Sequence, residues 1–127
     1  MPFEIAVTRS FSAAHQLRLY DGALEPLHGH NWQVRVTVGA DRLDSIGVVM
    51  DFHDLQRLLD GIVGPMHNRH LNELEGFAEL NPSAENVAVW IARSLSLPRG
   101  VALLEVQVWE TADCSATFHP EGSYNPG

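Results

Sequence analysis

The run from position 30 to 39 constrains this chain most. Trp32, Val34, Val36 and Val38 alternate with Gln33, Arg35 and Thr37, and the pattern ends at Gly39. Successive side chains of an extended strand point to opposite faces, so a period of two marks a strand with one buried face and one wet face. A helix cannot use that pattern, because its apolar stripe recurs at three and four. An earlier run obeys the same rule. Phe3, Ile5, Val7, Phe11 and Ala13 share one parity from position 3 to about 14, and the turn-like Asp21-Gly22-Ala23 separates the two strands.

The period then changes. Asp51 is a plausible N-cap for a helix in which Leu55, Leu59 and Ile62 recur at helical spacing, with Leu58 widening the stripe and Gly64-Pro65 ending it. Asn81-Pro82 reads as a second N-cap followed by proline at the first helical position. Ala84, Val87, Ala88, Ile91 and Leu95 mark that helix, and Leu97-Pro98-Arg99-Gly100 closes it. Two further strands follow at 102–110 and 114–119. The order β-β-α-α-β-β predicts an α+β domain, an antiparallel four-stranded sheet with two helices on one face. Residues 1–119 form this single domain and 120–127 a loose C-terminal tail.

Three histidines fall where apolar side chains belong. His28 and His30 continue the parity of Trp32 and Val34, and His15 continues that of Phe11 and Ala13. A hairpin would gather the three imidazoles on the covered side of the sheet. Either they form a polar strand entrance beside a satisfied core histidine, or a divalent metal satisfies all three. Imidazole-only ligation with no cysteine and an open fourth position favours catalytic zinc, Zn2+, over a closed structural site. Glu110 continues the parity of Leu104, Val106 and Val108. Its carboxylate either turns to solvent at the strand end or grips a planar N–H/N–H₂ edge with two hydrogen bonds.

Charge and composition close off other chemistries. Sixteen acidic residues against eight basic ones give a net charge of −8, which repels phosphate backbones and anionic lipid. No nucleic-acid or membrane partner is expected. All the basic residues are arginine, so a lysine Schiff base and a P-loop lysine are both excluded. The one cysteine, Cys114, makes no internal disulfide, and the first residues lack the basic and apolar regions of a signal peptide. A cytoplasmic protein is expected.

Six segments in order resemble one family. They are Phe11-Ser12-Ala13-Ala14-His15, His28-Gly29-His30-Asn31, Val49-Met50-Asp51-Phe52, Leu71-Asn72, Asn81-Pro82-Ser83-Ala84-Glu85-Asn86 and Glu110-Thr111. Together they resemble the 6-pyruvoyl-tetrahydropterin synthase and 6-carboxy-tetrahydropterin synthase family over nearly the whole chain. The resemblance implies a T-fold (tunnelling fold) subunit, homo-oligomers that are typically hexamers of two trimers, and active sites at subunit interfaces. It implies 7,8-dihydroneopterin triphosphate as substrate, His15, His28 and His30 as zinc ligands, and Glu110 as the anchor of the pterin ring. Ser83 and Glu85 stand where the family places supporting hydrogen bonds near that ring.

The chain departs from the family pattern twice. Leu24 occupies the position of the family's catalytic cysteine, four residues before His28, and Glu25 follows it. A glutamate at that offset resembles the class III branch, whose members cleave the side chain to 6-hydroxymethyl-7,8-dihydropterin, a folate precursor. Glu25 is then either the catalytic base or a solvated loop carboxylate, and Cys114 reads as a bystander. Where the family carries Asp-His before Leu-Asn, this chain has His67 and Asn68. His67 takes over the proton relay, or His70 does, or the relay is lost. The expected activity is a zinc-dependent lyase with Glu25 and His67 as catalytic residues. The rivals are a tetrahydropterin synthase, as in queuosine precursor synthesis, and an inactive paralogue that binds zinc and pterin.

Overall fold

The computed structural model describes residues 1–120. Of the expected C-terminal tail, 121–127 lie outside the described residues. Two long strands, β1 (Phe3–His15) and β2 (His28–Ala40), pair antiparallel in strict register from Phe3 opposite Ala40 to His15 opposite His28. β2 therefore starts two residues earlier than the apolar alternation alone suggests, because His28 and Gly29 continue the ladder.

The other elements follow as α1 (Phe52–Val63), the two-residue β3 (Arg69–His70), α2 (Ala84–Ser94), β4 (Ala102–Thr111) and β5 (Cys114–Phe118). The sheet order is β3-β1-β2-β4-β5. The sheet thus has five strands where four were expected. The extra one, β3, runs parallel to the end of β1 through Ala13 and Ala14. Its cause is local: Asn68 takes a left-handed φ of 59° and donates its N–H to the Ser12 carbonyl at 2.6 Å, which turns the chain alongside β1.

One face of the sheet carries the core. Val7, Phe11, Ala13, Trp32, Val34, Val36, Val38, Val106 and Val108 are all buried against Leu55, Leu59 and Val63 of α1 and Val87, Ala88 and Ile91 of α2. α1 lies over β1, and α2 over β4 and β5. Arg9 interrupts the apolar parity of β1 on this face, and its guanidinium grips Asp60 of α1 with Nε–Oδ1 at 2.7 Å. Asp51 caps α1 as expected, its carboxylate accepting the His53 N–H at 2.7 Å.

The cap of α2 differs from expectation. Ser83, not Asn81, is the N-cap, its Oγ accepting the Asn86 N–H at 3.1 Å. The Asn81 side chain is committed instead to the backbone of Arg18. Among the described residues, no helix is long and apolar enough to cross a membrane.

Candidate active site

The paired ends of β1 and β2 deliver His15, His28 and His30 to one place, as their parity requires. Each offers one ligand atom, and these atoms lie within 4.8 Å of one another. Trp32 forms the floor. Its indole N–H donates to the Ala13 carbonyl at 3.1 Å, and its ring meets those of His15 and His30 edge-on at 4.9 and 5.7 Å.

Backbone carbonyls set the tautomers. The His15 Nδ1 stands 2.7 Å from the Pro82 carbonyl oxygen, and the His28 Nδ1 stands 2.8 Å from that of Pro26. A carbonyl only accepts, so each ring proton is assigned to Nδ1 and each Nε2 keeps its lone pair. Those two Nε2 atoms face each other at 3.1 Å. The Glu110 Oε1 lies 3.3 Å from the His15 Nε2, and the Glu25 Oε1 lies 3.9 Å from the His28 Nε2. The His30 Nε2 is buried with no hydrogen-bond partner. Three imidazole nitrogens and two carboxylate oxygens thus converge, and a cation is the group that answers such a ligand set.

Burial lowers the pKa of His30, a shift opposed first by the Glu110 carboxylate, reinforced by His15 and His28, and opposed weakly by Glu25. The neutral imidazole that results is the metal-binding form. A divalent metal fits these residues, with His15, His28 and His30 able to hold it.

The remaining sequence candidates divide. Glu25 stands beside His28, its Oε1 accepting the Leu17 N–H at 2.9 Å while its own N–H donates to the Leu17 carbonyl at 3.0 Å. Glu110, at the end of β4, adjoins His15. Ser83 spends its Oγ on the helix cap, and Glu85 stands exposed in the first turn of α2, where its charge suits the helix N-terminus. His67 is exposed on the outer edge of β1, its Nδ1 accepting the Ser12 N–H at 3.1 Å, and it is not a member of the histidine group. His70 lies in β3 opposite Ala14, with a buried Nδ1 that has no partner. Cys114 is exposed at the start of β5. Sequence reasoning missed the carbonyls of Pro26 and Pro82, since any residue supplies a carbonyl and only the folded turn aims it.

The family model described as 6-pyruvoyl tetrahydropterin synthase matches residues 4–121. The dihydroneopterin monophosphate aldolase of Pyrococcus furiosus is 35% identical over 112 residues, spanning 87% of this chain and 91% of the relative. The 6-carboxy-5,6,7,8-tetrahydropterin synthase of Synechocystis is 37% identical over 114 residues, spanning 86% of this chain and 87% of the relative. A solved structure of Caenorhabditis elegans 6-pyruvoyl tetrahydropterin synthase matches with a TM-score of 0.79 at 24% identity, covering 94% of this chain and 96% of that one.

Proposed function

The chain belongs to the 6-pyruvoyl tetrahydropterin synthase family and has its T-fold, and we propose that it is a zinc-dependent carbon–carbon lyase. Its substrate is phosphorylated 7,8-dihydroneopterin, and its product is 6-hydroxymethyl-7,8-dihydropterin. The relatives' names span an aldolase and a tetrahydropterin synthase, so membership alone does not choose between them. The observation that carries the choice is Glu25. Its carboxylate stands 3.9 Å from the His28 Nε2, while the preceding position, where the family places its thiol, holds an exposed Leu24. The kinship to a named aldolase supports the same side.

Zinc bound by His15, His28 and His30 would supply Lewis acidity to the substrate's side-chain hydroxyls, lowering their pKa. The Glu25 Oε1 faces His28 while accepting the Leu17 N–H, and the carboxylate would take the hydroxyl proton as general base. Loss of that proton lets the bond between the first and second side-chain carbons break. The electron pair passes into the pterin ring, an aldehyde carrying the phosphate leaves, and a returned proton completes the hydroxymethyl product. Glu110 anchors the ring through its N–H/N–H₂ edge. Ser83 contributes as the cap of the helix that follows Pro82, and Cys114 takes no part.

His67 lies on the outer edge of β1, where among the described residues Ala13 and Ala14 are paired to β3, and β5 forms the opposite edge of the sheet. Sheet edges suit a homo-oligomer built by strand pairing, the hexamer of two trimers expected from the family. There His67 would act as the proton-returning acid at a neighbouring copy's histidines. The triphosphate is the first substrate to test, and the monophosphate named for the Pyrococcus furiosus relative is the second.

Zinc-loaded protein incubated with each ester and analysed by chromatography and mass spectrometry should yield 6-hydroxymethyl-7,8-dihydropterin. A carboxy- or pyruvoyl-tetrahydropterin would overturn the lyase reading. Unchanged substrate that stays bound to the protein would leave a pterin-binding paralogue.

A further inference from the structure

The segment after β1 is gripped from both sides. Asn72 accepts the Gln16 N–H at 3.0 Å and donates its amide to the Gln16 carbonyl at 2.8 Å. Asn81 does the same to Arg18, at 2.7 and 3.1 Å. A side-chain amide carries a donor and an acceptor side by side, so each asparagine copies the edge of a neighbouring strand at a single residue. In an extended chain the backbone polar groups of successive residues point opposite ways, and those of alternate residues the same way. Holding residues 16 and 18 on one side therefore aims the N–H and carbonyl of Leu17 the other way, and Glu25 takes both there. The guanidinium of Arg18 adds bonds to the carbonyls of Phe77, Ala78 and Leu80. The same turn that carries Asn81 presents the Pro82 carbonyl to the His15 Nδ1.

We propose that Asn72 and Asn81 are positioning residues, which aim the Glu25 carboxylate at the histidine cluster by holding residues 16–18 extended. The inference rests on the reading of Glu25 as the base. Neither asparagine touches the cluster in this arrangement. Each acts through the Leu17 amide.

The test uses the full zinc-loaded chain and four variants: Asn81→Ala, Asn72→Ala, Glu25→Gln and the Asn81→Ala/Glu25→Gln pair. Two quantities are read: exchange of the Leu17 amide by ¹⁵N NMR, and kcat and KM on the phosphorylated dihydropterin. Asn81→Ala should speed Leu17 amide exchange at least about tenfold. It should lower kcat by about 10- to 100-fold with KM within about threefold, the scale of a small misplacement of a catalytic group. In the Glu25→Gln background the same change should lower kcat by less than about threefold, because the group it positions is already gone.

A Leu17 amide as protected in Asn81→Ala as in the parent, or a full additional loss of kcat in the Glu25→Gln background, would overturn the proposal. If Asn81→Ala does not fold, Asn72→Ala puts the same question from the other side of Leu17. Failure of the underlying reading is separately visible, as a Glu25→Gln protein that turns over like its parent. The Leu17 exchange then still decides whether the asparagines hold that segment.

Discussion

A zinc ion held by His15, His28 and His30, as proposed, should add a specific and calculable amount of stability. In the histidine cluster the Nε2 atoms of His15 and His28 face each other at 3.1 Å, and the buried His30 Nε2 has no partner. One unsatisfied buried acceptor costs about 1–3 kcal/mol. A ligand that binds only the folded state, present at a hundred times its dissociation constant, adds about 2.7 kcal/mol. The unfolding entropy of a 127-residue chain is about 0.27 kcal/mol per degree. Zinc should therefore raise the midpoint of the chelator-treated protein by about 10 °C, read by circular dichroism during heating.

His30→Ala supplies the control. It removes a ligand and the orphaned nitrogen together, so the metal-free variant should stay within about 1 kcal/mol of the metal-free parent. Its zinc-induced shift should fall below about 1 °C, because zinc is then present below the weakened dissociation constant. A parent protein that zinc moves by less than about 2 °C, or a variant that zinc shifts as much as the parent, would refute the argument.

Two further substitutions test the capping and packing of α2. Ser83→Ala should lower stability by about 1 kcal/mol, measured by urea unfolding, through loss of the α2 cap. Its KM should stay within about twofold, because that hydroxyl is committed to the Asn86 N–H; a large rise in KM would return Ser83 to the substrate pocket. At Gly76→Ala the new methyl would meet the Trp90 ring at 2.5 Å. The indole must swing away, at a cost of about 1–3 kcal/mol in the same assay.

Much of this was legible in the chain because period-two alternation extends beyond the apolar residues themselves. The parity that buries Phe11 and Trp32 also turns His15, His28 and His30 inward, and the parity of Val108 carries Glu110 to the same cluster. Glu25 could be placed near His28 because three residues of chain cannot carry it far. What stayed hidden lies in long-range pairings between polar side chains and backbone. Asn72 reaches Gln16 across 56 residues and Asn81 reaches Arg18 across 63, and neither partner has a sequence signature. The misread cap has the same origin: Asn81 and Ser83 are both good caps in isolation, and only the fold shows that Arg18 claims the asparagine. β3 was invisible because two residues have no period, and its pairing depends on the left-handed turn at Asn68.

In the proposed reaction the Glu25 carboxylate, set beside the three histidines, removes the proton that starts the cleavage. The most direct measurement compares zinc content and turnover of the parent and Glu25→Gln side by side. Glutamine can still accept the Leu17 N–H, so the fold and the three histidines should remain, with one zinc per chain in both proteins. In Glu25→Gln kcat should fall by about 10²- to 10⁴-fold, the usual contribution of a positioned general base. A Glu25→Gln protein that holds zinc and cleaves within tenfold of its parent would contradict that role of Glu25.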